Sequence, residues 1–297
     1  MSSSLEDHNS FDSSPINLQK SKTSPRAIFN ILMTILAGTC LAISLLPLFA
    51  VLFYVISKGA ASINLDLFTK LPPPPGLSGG GVANAIIGTL LTIGIATLIA
   101  VPFGVLAAVY LSEFSRGEMA RWIRFATNVL SGVPSIIAGV FAYGLLVATM
   151  GTFSAVAGGV ALSVLMLPTI IRTTDEALQI VPQDIRWASV GIGASNYQTI
   201  LRVVIPAAIP AILTGVTLAI ARAAGETAPL IFTALNSPFW PQGLLKPTPS
   251  LSVLIYNFAT VPFKGQQDLA WAASLILVFL VLLTSILSRL ATRRKIY

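Results

Sequence analysis

The sequence has 297 residues, of which 55% are hydrophobic and only 10% charged, with a net charge of +7. A soluble domain of that length needs roughly a quarter of its residues charged to cover its surface, so the composition excludes one and points to an integral membrane protein. The single cysteine, Cys40, allows no intrachain disulfide, and the single histidine, His8, leaves no basis for a histidine metal site or a catalytic triad.

Residues 1–26 are Ser-rich and polar, carry charges of both signs and have little to bury, which predicts a disordered cytoplasmic tail. A signal peptide fits less well, because the following apolar run is too long and lacks a small-residue cleavage site. No charge occurs between Ala27 and Ser57, a stretch long enough for a first, tilted span. Residues 58–81 hold Lys58, Lys70, Pro72 to Pro75 and Gly79 to Gly81. Four successive prolines favour stiff polyproline II backbone, so this segment reads as an external loop. The glycine run is not a phosphate loop, because no Gly-Lys-Ser/Thr follows it.

A second helix is predicted over 82–112, with Ala96, Ala100, Gly104 and Ala108 as a small-residue face for close packing. Residues 113–124 read as a short loop with Arg116, Arg121 and Arg124. The uncharged run from Phe125 to Ile171 is too long for one span and divides at Met150-Gly151-Thr152 into helices three and four. In helix three Ser131, Ser135 and Gly139 form another small face, and Pro134 is expected to kink it. A cytoplasmic loop over 172–205 follows, then helix five from near Pro206 to near Leu235. A Pro-rich second external loop covers 236–268, and helix six covers 269–288. The predicted domains are thus the tail 1–26, a six-span domain 27–290 and a basic C-terminus 291–297. No internal repeat of the two-halves kind is visible.

Basic residues set the orientation. The tail holds Lys20, Lys22 and Arg26, the 113–124 loop its three arginines, the 172–202 stretch Arg172, Arg186 and Arg202, and the C-terminus Arg289, Arg293, Arg294 and Lys295. The opposite side has only Lys58, Lys70, Lys246 and Lys264. This bias puts both termini in the cytoplasm, and it explains the basic balance without a nucleic-acid partner.

The 172–205 loop is the longest cytoplasmic connection, and Ile180, Ile185, Trp187, Ala188, Val190 and Ile200 give it apolar surface to dock. Asp184 is placed to cap a short helix that Gly191 and Gly193 end. Pattern alone leaves open whether this elbow packs on its own membrane domain or presents itself to a cytoplasmic partner. Permeases of ABC importers carry here a motif of the form Glu-Ala-Ala, three residues, Gly, nine residues, then Ile-x-Leu-Pro. Trp187-Ala188-Ser189, Gly193, Val203, Ile205 and Pro206 resemble it at the same spacing, with Trp187 in place of the Glu and Ser189 in place of the second Ala. The resemblance implies that these seven residues form a coupling helix seated in a groove of an ATP-binding subunit. Gly132-Val133-Pro134-Ser135, the stretch Leu167 to Leu178 and Arg222-Ala223-Ala224-Gly225-Glu226-Thr227-Ala228-Pro229 resemble the phosphate branch of that family, the PstA-type permeases. The likeness runs from about residue 28 to 290.

Arg222 lies 16 residues beyond Pro206, about 24 Å along a helix and hence deep in the bilayer. A central arginine costs roughly 2.5–3.5 kcal/mol on insertion scales, so something must compensate it. Glu226, four residues on, is within reach for an ion pair. Two readings stand at this point: a buried structural pair, or a pathway in which Arg222 meets an oxyanion bidentately, Glu226 orients it and Thr227 adds a hydroxyl. Asn84, Asn128 and Asn236 sit near helix ends, and Asp175 and Glu176 are expected to be solvated at the cytoplasmic border.

The sequence is therefore read as an all-α, six-span, type I ABC importer permease-like subunit and not as an enzyme. The chain has no phosphate loop, so ATP is expected on a separate subunit, and no cofactor or metal is expected on this chain itself. The resemblance implies a PstC-like second permease, a pair of ATP-binding subunits and an external phosphate-binding protein as partners, in a bacterial inner membrane. Sulfate or molybdate would serve the same arginine. A secondary transporter with Glu226 as proton carrier is the alternative from another class.

Overall fold

In the computed structural model the protein is described over residues 25–114 and 117–293. The expected tail up to residue 24, and Arg116, Arg294 and Lys295, lie outside the described residues. Among the described residues the regular structure is entirely helical: α1 Pro25–Ala60, α2 Leu65–Thr69, α3 Ala83–Phe114, α4 Glu118–Ser131, α5 Ser135–Met150, α6 Ala155–Ile180, α7 Gln183–Gly191, α8 Asn196–Ala224, α9 Ala228–Thr233, α10 Leu251–Thr260 and α11 Lys264–Arg293. Five of them, α1, α3, α6, α8 and α11, are long and apolar enough to cross a bilayer, and α4 with α5 makes a sixth if that bent pair is one span.

The chain divides into two compact units after Phe53. In the first, α1 exposes Phe29, Leu32, Leu36 and Phe49 on all its sides, a surface that only lipid or another apolar helix can solvate. In the second, α3, α6 and α8 pack around a core of Leu162, Met166, Ile170, Val204, Ala208 and Ala219. The small face of α3 makes this possible. Ala96, Ala100 and Ala108 are fully buried, and a Cβ at Gly104 would come within 2.8 Å of Ile170 on α6. A second core, towards the other end of α3, joins Leu67, Ala85, Leu251, Leu254, Phe258 and Ala273 from α2, α3, α10 and α11.

Several expected boundaries move. Helix three is not one kinked span: α4 and α5 meet at 105°. Gly132 closes α4, and Pro134 stands outside both helices in extended backbone as the cap of α5. Its ring disfavours helical backbone for the residue before it, and with Gly132 ahead of it the chain breaks here instead of bending. Ser131 and Ser135 thus fall on different helices, and Gly139 packs closely, with an added Cβ only 2.6 Å from Pro229 Cα. The 113–124 loop is largely α4, an amphipathic helix whose exposed Trp122 and Phe125 meet edge to face at 6.0 Å. The second external loop contains α10 and the start of α11. The first contains α2, where Asn64 caps the helix by accepting from Leu67 N at 2.9 Å.

Candidate functional site

The elbow is shorter than expected, because α6 runs on to Ile180. Arg172 and Glu176 are a helical i,i+4 pair at 3.1 Å rather than loop residues. Asp175 is not solvated: it is mostly buried, with Arg124 at 3.5 Å. Val181 and Pro182 are extended and turn the chain into α7. Asp184 lies in the first turn of α7 and does not cap it, since Pro182 occupies the cap position. At the far end Gly193 adopts φ +93°, the left-handed backbone that closes helices and that glycine takes without a Cβ penalty. Ser195 and Gln198 then form a reciprocal capping box that starts α8. Pro206 lacks the N–H a regular helix would need, and the chain absorbs this in a π-helical turn over Ile200–Val204.

The short helix α7 has two faces. Ile185, Trp187, Val190 and the following Ile192 are exposed, Trp187 by 68%, and Ala188 lies on that exposed side as well. Arg186 and Ser189, three residues apart, face the protein. Ser189, which occupies the second Ala position of the motif, is buried and shares a 2.9 Å hydroxyl–hydroxyl hydrogen bond with Thr199 of α8. Trp187, Ala188 and Gly193 are thus open to a partner, Ser189 is turned inward, and Val203, Ile205 and Pro206 lie in the first turns of α8. A cleft of about 390 Å³ opens beside α7, lined by Glu113, Phe114, Gln183, Trp187 and Asn196 among others.

The second cluster lies at the other end of α8. Helix five does not continue to Leu235 as one rod. It stops at Ala224, where Gly225 N donates to Arg222 O at 3.1 Å and Glu226 N to Ala223 O at 3.2 Å, and it resumes as α9 at Ala228. Pro229, near the start of α9, has no N–H with which to bridge the gap. The break leaves the Glu226 carbonyl without a helical donor, and Ser252 of α10 donates to it at 2.9 Å. Arg222 Nε stands 3.7 Å from Glu226 Oε1, an ion-pair distance beyond hydrogen-bonding range. The Arg222 side chain is 61% exposed and that of Glu226 18%. Among the described residues the Thr227 hydroxyl has no hydrogen-bond partner. Arg222, Glu226 and Thr227 therefore come together at a helix break with the guanidinium turned outward, which is not the geometry of a buried structural pair within this chain. Asn84 sits near a helix end as expected, in the first turn of α3, but is fully buried there and donates to the carbonyls of Ser237 and Phe239.

Residues 100–297 match the family of binding-protein-dependent transport system inner membrane components. The chain belongs to that family. Among its relatives, this inner membrane component is 40% identical over 285 residues to the phosphate transport system permease protein PstA of Yersinia pestis, covering 96% of this chain and 97% of that one. It is 41% identical to the protein of the same name from Haemophilus influenzae, over 91% and 96% of the two chains. The fold of this component is that of solved ABC importer permeases. It matches the alginate ABC transporter in complex with its alginate-bound periplasmic protein with a TM-score of 0.65 at 14% identity, over 92% of this chain and 98% of that one. An inward-facing methionine transporter, MetNI, matches with a TM-score of 0.60 at 20% identity, over 72% and 97%.

Two groups were not legible in the sequence. Arg186 and Glu113 pair across 73 positions, and Ser252 reaches Glu226 across 26; no local spacing announces either. Only the presence of a carboxylate at the end of an apolar run, Glu113, hinted that something there needed a partner.

Proposed function

We propose that this multi-pass membrane protein is the transmembrane permease subunit of an ATP-driven importer of inorganic phosphate. The observation that carries the mechanism is that one continuous helix, α8, has an exposed docking element at one end and an exposed arginine at a helix break at the other. Over 29 residues it spans about 44 Å. Phosphate as substrate is supported by relatives named for phosphate transport that match nearly end to end. The guanidinium fork suits a tetrahedral oxyanion but does not by itself choose among oxyanions.

Trp187, Ala188 and Gly193 present the elbow to an ATP-binding subunit pair, and a second, PstC-like permease completes the pore. A periplasmic or extracellular phosphate-binding protein delivers substrate to the external loops, and the assembly sits in the bacterial inner membrane. Closure of the ATP-binding pair moves the elbow, α8 passes the motion on, and the loose segment Gly225–Thr227 lets Arg222, with Glu226 and Thr227, turn from one side to the other.

The deciding experiment is ATPase activity of the reconstituted assembly with binding protein loaded with phosphate, sulfate or molybdate in turn. Stimulation by phosphate alone is the expected result, and no stimulation by any of the three would overturn the importer. The elbow has its own test. At Gly193 an added Cβ has no other atom of the described residues within 4 Å beyond its chain neighbours, but Gly193→Val strains the +93° backbone by about 1–2 kcal/mol. The variant should insert normally and lose most of the ATP-binding subunit on copurification; normal copurification would remove the docking assignment.

A further inference from the structure

The coupling helix must move the transmembrane helices when its partner moves, so whatever ties α7 to the body decides how much motion is passed on. Its chain connections are weak in this respect. Val181-Pro182 on one side and the Gly193 turn on the other are short extended or left-handed links. Among the described residues, the side chains of α7 hydrogen-bond outside their own helix at two places. One is the Ser189–Thr199 contact with α8. The other is Arg186.

Arg186 makes more of a joint than a single bond. One terminal guanidinium nitrogen, Nη1, pairs with Glu113 Oε2 on the π-helical turn that ends α3, and the other, Nη2, donates to Leu178 O near the end of α6 at 2.8 Å, while Nε is buried without a partner among the described residues. Both partners of the ion pair are withdrawn from solvent, with side-chain exposures of 15% and 7%. The pair therefore stands on the inward face of α7, with Ile185 and Trp187 on either side of it exposed. A pair so placed lines the floor of the cleft beside α7 and offers little surface of its own to a partner. It can hold α7 in register with two of the three helices of the inner core, while Ser189 holds the third.

Resting on the importer reading above, we propose that Arg186 and Glu113 are positioning residues: a desolvated ionic joint through which displacement of the coupling helix reaches α3 and α6. Breaking it leaves the docking face intact and the transmission slack. ATP hydrolysis then proceeds on the docked complex without moving phosphate. The pair is specific in charge and shape, because a carboxylate left buried beside a second carboxylate, or an arginine beside an arginine, repels the joint apart.

The test uses the full assembly reconstituted with phosphate-loaded binding protein. Arg186→Glu and Glu113→Arg are each made alone and then together, reading copurification of the ATP-binding subunit, ATP hydrolysis and phosphate moved per ATP. Each single reversal should keep the ATP-binding subunit bound and lower the transport-to-hydrolysis ratio about tenfold or more. The double reversal should recover most of that ratio, which is the signature of a direct pairwise interaction. Coupling as in the unmodified assembly in either single variant overturns the joint, and so does a double variant no better than the singles. Should a single reversal fail to assemble, Arg186→Lys decides the matter. It keeps the charge but cannot reach both Glu113 and Leu178 O with a planar fork, so a lowered ratio supports the joint and an unchanged one overturns it. If the unmodified assembly itself shows no phosphate-stimulated hydrolysis, the importer reading fails instead.

Discussion

Arg222→Gln should abolish phosphate uptake while the subunit still inserts and assembles. In this chain the Arg222 side chain is 61% exposed and its contact with Glu226 is a 3.7 Å ion pair without a hydrogen bond, so little of the fold depends on it; exposed pairs of this kind contribute at most about 1 kcal/mol. What the substitution removes is a charged fork at a helix break. Loss of one charge-assisted hydrogen bond to a passing oxyanion is worth about 1.5–3 kcal/mol, or roughly ten- to a hundredfold in binding. A second effect adds to this: Glu226, only 18% exposed, is left as an uncompensated carboxylate facing an anion. Arg222→Lys restores the charge without the bidentate fork and should recover uptake in part. Radiolabelled phosphate uptake, read beside copurification of the partner subunits, separates the outcomes. Uptake that survives the Gln substitution would remove Arg222 from the pathway, and loss of assembly would restore the structural-pair account.

How far the sequence could be read depended on whether a feature had a physical length scale. The bilayer thickness alone makes a predominantly apolar run of about twenty residues or more a span, and α1, α3, α6, α8 and α11 follow from that. Breaks inside apolar runs have no such scale. Gly132-Val133-Pro134 reads equally as a kink or as a stop, and the 105° angle between α4 and α5 depends on what α5 packs against, which is Pro229 of α9. Only 16 residues long, α5 reaches about 24 Å, less than the roughly 30 Å hydrocarbon core, so it cannot stand as a full span by itself. The short helix α10 was hidden for the opposite reason: ten mostly apolar residues between prolines look like a loop until a surface to bury them is known. Arg172 and Glu176, by contrast, carried a readable helical signal in their i,i+4 spacing, which placing the loop boundary at the first charge overrode. At the site itself, Arg222 and Glu226 were legible because charges are rare in apolar helices. Ser252 and Arg186 were not, because an ordinary serine and a cytoplasmic arginine gain meaning only from the distant atom they touch.

Gly88→Ala should be among the most damaging single-methyl changes in the protein, although glycine to alanine ordinarily favours a helix by about 1 kcal/mol. Gly88 lies in the second turn of α3, and an added Cβ would fall 1.8 Å from the carbonyl oxygen of Pro249 and 2.9 Å from the Thr248 side chain. The Pro249 carbonyl belongs to backbone and cannot rotate away. It is held in place by its neighbours, since Thr248 N donates to Ala234 O at 3.0 Å and Leu251 N to Thr89 Oγ1 at 2.8 Å. Relief would require α10 to leave α3, so the cost should exceed the roughly 1–3 kcal/mol typical of overpacked cores. Gly94, on an open side of the same helix with nothing within 4 Å of an added Cβ, supplies the control, and Gly94→Ala should leave thermal unfolding of the purified subunit unchanged or slightly raised. Gly88→Ala should lower it by several degrees and reduce uptake as well, because displacing α10 takes Ser252 away from the Glu226 carbonyl and frees the break that positions Arg222. An unfolding temperature unchanged by Gly88→Ala would mean that residues 248–251 are not seated on α3. Normal uptake in a destabilised variant would mean that Ser252 does not govern the break.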